Sequence, residues 1–181
     1  AALLPHICLS DEEIRQGQRL LEQLPDKAGT PPIALHPYAT HPDKAWKEAY
    51  WRQLMELFES RGIPWIVIGR GSCMEGIPAS RNFTNRTSLR ETCALLKSSS
   101  LLITGDSGPM HLAGAVGTPV LALFGPTTEE WGFFPAGPKD RVLESQLDCR
   151  PCTLHGKKHC DRNHACMQSI TPEQVMRALD E

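Results

Sequence analysis

Residues 101–113 read Leu101-Leu102-Ile103-Thr104-Gly105-Asp106-Ser107-Gly108-Pro109-Met110-His111-Leu112-Ala113, and three kinds of chain follow one another there without a spacer. Leu101 to Thr104 is a short, almost wholly apolar run, the pattern of a strand buried on both faces. Gly105 opens a tight turn. Residues 108–116 then read as a short helix closed by Gly117, with Pro109 in its first turn, where the missing N–H would have had no partner within the helix. The first amides of such a helix are unpaired and carry partial positive charge, so an anion is favoured at its start. Ser107 adds a hydroxyl, and Gly108 lets a ligand come close to the backbone. Asp106 does not suit a bare phosphate cradle, because a carboxylate repels phosphate. It is better used accepting hydrogen bonds from the hydroxyls of a sugar, or it simply caps the helix. His111 lies one turn in, as a hydrogen-bonded structural group or as a catalytic one.

The same alternation extends on both sides. Ser10-Asp11-Glu12-Glu13 is a capping box, and Ile14, Leu20, Leu21 and Leu24 follow at helical spacing until Pro25. Ile33-Ala34-Leu35 predicts a strand. Residues 46–60 predict a helix burying Trp51, Leu54, Leu57 and Phe58 and ending at Gly62, and residues 64–69 predict the next strand. A weak strand is expected near Asn82-Phe83, then a helix over 88–98 with Leu89, Leu95 and Leu96 buried. Val120-Leu121-Ala122-Leu123-Phe124 is a further buried strand, Arg141-Val142-Leu143 an edge strand, and Thr171-Pro172-Glu173-Gln174 the capping box of a last helix. Apolar strands alternating with amphipathic helices predict an α/β fold, a Rossmann-like doubly wound parallel sheet. Such sheets bind ligands beyond the carboxyl ends of their strands, which directs attention to the loops after Leu35, Ile68, Thr104 and Phe124.

Composition narrows the classes. The chain has 181 residues, 19 Lys+Arg against 21 Asp+Glu, a net charge of -2 and 40% hydrophobic residues. That balance gives no reason to expect nucleic acid or an anionic membrane as partner, and no apolar run approaches the ~18 residues of a membrane helix. No initiator Met or signal-peptide pattern is present, and Ala1-Ala2-Leu3-Leu4-Pro5 reads as the interior of a longer protein, so a fragment of a cytoplasmic protein is expected.

The loop after Leu35 runs His36-Pro37-Tyr38-Ala39-Thr40-His41-Pro42-Asp43-Lys44-Ala45-Trp46. Thr40 and Lys44 belong to the same edge of the sheet as Asp106. Lys44 either neutralises phosphate as a point charge or is a solvated surface residue. His36 and His41 with Asp43 match no defined metal spacing. Neither a G-x-x-x-x-G-K-[ST] loop nor G-x-G-x-x-G is present, and Gly69-Arg70-Gly71 lacks the third glycine, so P-loop and dinucleotide-dehydrogenase readings are weak. With no Asp-x-Asp pair to hold a divalent ion on a diphosphate, Lys44 and backbone amides are expected to serve instead, with no metal and no cofactor.

Of seven cysteines, Cys93 falls on an apolar helical face, and Cys149, Cys152, Cys160 and Cys166 crowd together with His155, His159 and His164 nearby. Structural zinc, a disulfide and free thiols packed in a loop are all open readings of this cluster.

With these residues quoted, the chain resembles the C-terminal half of glycosyltransferase family 9, the ADP-heptose:lipopolysaccharide heptosyltransferases. The motifs that carry the resemblance are residues 105–113, Gly117-Thr118-Pro119-Val120, Leu123-Phe124-Gly125-Pro126-Thr127, Lys44-Ala45-Trp46 and Cys149-Arg150-Pro151-Cys152. The resemblance implies one half of a GT-B fold, with residues 1–30 as interdomain linker and helix and 31–181 as the nucleotide-sugar-binding domain. An N-terminal acceptor domain, carrying the general-base Asp, would lie outside these residues. It implies inverting, metal-independent transfer of heptose from ADP-heptose, or a related nucleotide-sugar, to a lipopolysaccharide core acceptor, with peripheral association at the inner face of the inner membrane. Asp106 would contact the heptose hydroxyls, Ser107, Gly108, Thr40 and Lys44 the diphosphate, and Thr87 the base, with His111 in the same donor-binding set. The ribose-binding acid has no clear counterpart, Glu75 being the nearest. The alternatives are a non-catalytic nucleotide-binding module and a zinc-stabilised interaction domain.

Overall fold

Five strands hydrogen-bond in the order β2-β1-β3-β4-β5, all of them parallel: Ile33–His36 (β1), Trp65–Val67 (β2), Leu101–Gly105 (β3), Val120–Phe124 (β4) and Arg141–Glu144 (β5). The structure is a computed structural model that describes residues 5–25, 29–152 and 160–181. Its helices are Asp11–Leu21 (α1), Glu48–Arg61 (α2), Leu89–Lys97 (α3), Gly108–Val116 (α4), Ala165–Gln168 (α5) and Pro172–Asp180 (α6).

The strands are apolar at every central position because both faces are covered. Ile33, Leu35, Val67, Ile103, Leu121 and Leu123 face a layer holding Trp51, Leu54, Phe58, Met167 and Val175 from α2, α5 and α6. Ala34, Ile66, Leu102, Val120, Ala122 and Phe124 face the opposite layer with Cys93, Leu96, Met110 and Val116 from α3 and α4. Leu54 and Phe58 are fully buried, so truncating either to Ala costs roughly 3–5 kcal/mol.

The capping boxes at Ser10, Ser88 and Thr171 form as the sequence predicts. The helix opened by Ser10 ends at Leu21, short of Pro25. It lies on α3 at a close approach that needs a glycine: a Cβ on Gly17 would sit 2.7 Å from the Ala94 carbonyl carbon. Arg90 of α3 pairs with Glu13 at 2.5 Å and donates to the Cys8 carbonyl at 2.9 Å.

Three expectations are corrected. Asn82 makes only an isolated bridge to Val67, because the chain turns away at once, and no strand forms. Trp46 precedes α2 and packs edge-on against Trp51. Leu89 is 65% exposed, because the first turn of α3 borders an open cleft while the same face packs into the core further on at Cys93 and Leu96. Among the described residues, no helix is long and apolar enough to cross a membrane.

Candidate functional site

Strand order reverses between β1 and β3, and ligands of doubly wound sheets enter the crevice beyond that point. Here His36, the last residue of β1, lies in register with Thr104, the last but one of β3, and above them opens a cleft of about 670 Å³. Its walls include His36, Thr40, Gly69, Arg70, Thr87, Leu89 and Thr92, and the start of α4 at Ser107, Gly108 and Pro109.

The floor of the cleft is a polar knot. His36 Nδ1 is 3.1 Å from Thr104 Oγ1 and 3.3 Å from Ser107 Oγ, and the two hydroxyls are 2.9 Å apart. Burial pushes the His36 imidazole down to about 4, because the charged ring would lose its water. His36 is therefore neutral at physiological pH. Tyr38 packs edge-on against it, 5.7 Å between centroids, and its hydroxyl meets Thr84 Oγ1 at 2.7 Å. Gly69 makes room for both rings. Its φ of 119° excludes most side chains, and a Cβ would stand 2.5 Å from His36 Cδ2.

Ser107 is the N-cap of α4, yet its hydroxyl makes no bond to the helix. Of the first-turn positions, Pro109 has no N–H and the Met110 amide donates to the Ser107 carbonyl at 3.1 Å, which leaves the Gly108 amide. A Cβ at Gly108 would meet nothing within 4 Å, so the backbone there faces open space at the cleft. These are the conditions for holding an anion.

Asp106 is not the cap. Its Oδ2 accepts from Lys44 Nζ at 2.5 Å and from Thr127 Oγ1 at 3.0 Å. Lys44 and Asp106 side chains are only 13% and 10% exposed, so Lys44 is no solvated surface residue. It ends a 3₁₀ turn, Pro42–Lys44, that carries it over β3. Thr127 is placed by Arg150, whose guanidinium donates to the carbonyls of Gly125 and Thr127 and pairs with Glu144 at 2.7 Å.

Of the residues read from sequence, Thr40, Thr87, Ser107 and Gly108 line the cleft; Lys44 and Asp106 do not line it but pair with each other, Asp106 being the chain neighbour of Ser107. His111 is exposed on α4 and does not line the cleft. Glu75 is exposed, its carbonyl accepting from Arg52 at 2.7 Å, and it too lies outside the lining. His36 meets Thr104 and Ser107, whereas Asp43 meets His41 and His164. Among the described residues, no group of three or more His, Cys, Asp or Glu side chains is arranged to hold a metal ion. No disulfide joins Cys149, Cys160 or Cys166, and His155 and His159 lie outside the described residues. Sequence reasoning missed Thr127 and the roles of His36 and Leu89. A His ending an otherwise apolar strand was the available signal for the second.

Comparison with known proteins bears on what this cleft takes. The family model for glycosyltransferase family 9 (heptosyltransferase) matches residues 7–161. A lipopolysaccharide heptosyltransferase 1 from Pseudomonas aeruginosa is 35% identical over 153 residues, 77% of this chain and 40% of that protein. A lipooligosaccharide heptosyltransferase 2 from Campylobacter jejuni is 33% identical over 101 residues, 53% of this chain and 30% of that protein. The solved structure of the Escherichia coli ADP-heptose lps heptosyltransferase II superposes with a TM-score of 0.75 at 23% identity, over 99% of this chain and 54% of that one. The chain thus spans about half or less of the length of each.

Proposed function

The chain belongs to glycosyltransferase family 9, the heptosyltransferases, and from that premise we propose that residues 31–181 are its nucleotide-sugar-binding half, with residues 1–30 as the linker and helix leading in. The donor is ADP-heptose or a related nucleotide-sugar, and the acceptor is a lipopolysaccharide core held by a second domain. The whole enzyme works in the cytoplasm at the inner face of the inner membrane. The observation that carries this reading is the Lys44–Asp106 pair standing beside the bare start of α4 at the reversal point of the sheet.

Each group then has a task. The diphosphate lies on the Gly108 amide and the Ser107 and Thr40 hydroxyls. Lys44 gives one ammonium hydrogen to Asp106 and keeps two for phosphate oxygens. Both bonds to Asp106 fall on Oδ2, which leaves Oδ1 to accept from a heptose hydroxyl. The base lies toward Thr87 against an apolar wall of Leu89, Pro109 and Leu112. In the transfer the acceptor oxygen, relieved of its proton by a base from the other domain, attacks the anomeric carbon from the face opposite the diphosphate. The carbon–oxygen bond to phosphate breaks with its electron pair on the leaving ADP, and configuration inverts. The charge arriving on the diphosphate meets fixed dipoles and the Lys44 ammonium, which do the work a metal ion would do.

Calorimetric titration of this chain with ADP, AMP and adenosine tests the reading. Saturable ADP binding, tighter than that of adenosine, is expected, and Lys44→Ala or Asp106→Ala weakens it about tenfold, the worth of a charge-assisted hydrogen bond. Failure to bind ADP, or ADP affinity indifferent to both substitutions, overturns it. Heptosyl transfer by these residues alone is not expected.

A further inference from the structure

We propose that His164, acting through Asp43, is a positioning residue for Lys44, so that the cysteine-rich end of the chain sets the charge that meets the donor diphosphate. The inference rests on the donor-site reading above and adds which part of the chain fixes the lysine.

Asp43 immediately precedes Lys44 and is 6% exposed. A carboxylate so far from water must be held by polar partners. Its Oδ1 is 2.6 Å from His164 Nε2, and its Oδ2 is 3.6 Å from His41 Nδ1, which also accepts from the Asp43 amide at 3.3 Å. His164 reaches it from 121 residues away. Asn163 and His164 both adopt left-handed backbone, with φ of 49° and 53°, a conformation that non-glycine residues keep only where their surroundings hold it.

The residues that follow His164 fasten the other side of Lys44. The Ile170 carbonyl accepts from Trp46 Nε1 at 2.8 Å, and Gln168 takes Lys47 Nζ at 2.9 Å and the Tyr50 hydroxyl at 3.2 Å. Lys44 therefore sits on a short span of backbone clamped before it at Asp43 and after it at Trp46, Lys47 and Tyr50, all from residues 164–170. A lysine is a point charge on a long flexible stem, and a clamp at its backbone is what keeps its ammonium at one place. Without the His164 ring, the Asp43 carboxylate loses a partner at 2.6 Å, and the turn that carries Lys44 is held less firmly.

A double-mutant cycle separates positioning from mere support. ADP and adenosine are titrated calorimetrically into the unsubstituted chain, His164→Ala, Lys44→Ala and the combination. His164→Ala is expected to weaken ADP about fivefold, a coupling usual for residues sharing a network, with adenosine changed less than twofold. In the Lys44→Ala background it adds nothing for ADP. His164→Gln, which can still donate to Asp43, recovers much of the loss. Should His164→Ala not fold, Asp43→Asn and His164→Gln carry the same comparison. Equal losses for ADP and adenosine, or full additivity with Lys44→Ala, overturn the inference while leaving the donor site intact. An unsubstituted chain that ignores ADP overturns the donor site and this inference together.

Discussion

On the β3 side, two triads form: Asp106 holds Lys44 and Thr127 at 2.5 and 3.0 Å, and His36, Thr104 and Ser107 hold one another at 2.9–3.3 Å. On the α3 side, Leu89 stands 65% exposed beside Leu112 and Pro109, and the Thr87 hydroxyl is engaged with Thr92 at 2.9 Å. Within each triad a position is determined by its partners, so a single deletion leaves the remaining members short of a partner. The α3 side is apolar wall, whose contribution grows with the area a ligand covers and which loses little when one side chain is trimmed. The polar side is thus expected to set the register of the donor and to couple binding with stability. The apolar side supplies affinity that stability does not feel.

The sharpest way to break that contrast is to orphan one member of the ion pair. Asp106→Ala leaves the Lys44 ammonium in a place where it is 13% exposed with its carboxylate gone. Removing one partner of a pair this buried costs about 3 kcal/mol, whereas replacing both by apolar groups costs far less. Urea unfolding of Asp106→Ala, Lys44→Met and the double variant checks this. The double variant is expected to be more stable than Asp106→Ala alone. If the two losses instead add, the polar side is no network.

His36 offers a test by pH. An unfolded imidazole titrates near its ordinary value, and the folded one near 4. Between them the unfolded chain binds a proton that the folded chain refuses, so stability is full above about pH 6.5 and falls as pH is lowered, the loss being complete near pH 4. The shift corresponds to about 3 kcal/mol. Stability measured across pH 4–7 should therefore fall more steeply in the unsubstituted chain than in His36→Asn. Parallel curves would mean that the ring charges freely and is not locked into the knot with Ser107.

How far the two sides were legible in sequence follows from the same physics. Strand, turn and helix in residues 101–116 are local, punctuated by Gly105, Pro109 and Gly117, and they emerged with nearly the expected bounds. The role of Asp106 stayed open between cap and sugar ligand because its partner Lys44 is 62 residues away, and local pattern carries no distance. Leu89 was misread for a related reason. It does lie on the face of Cys93 and Leu96 by helical spacing, but that this end of the face opens onto the cleft is a tertiary fact. Likewise the Asp43–His164 contact joins residues 121 positions apart, a separation that no local pattern carries.

The smallest effect expected is at Leu89. Because the side chain is largely exposed, Leu89→Ala should change unfolding free energy by less than about 0.5 kcal/mol. Adenosine covering that wall would lose contact worth about 1 kcal/mol, roughly a fivefold weaker dissociation constant. ADP should weaken by the same factor, since the diphosphate is held elsewhere, and Leu89→Met should retain most of the affinity. The two substitutions thus separate wall from network by titration alone. A variant that loses stability without losing adenosine would make Leu89 part of the core after all, and would move the base to another part of the cleft.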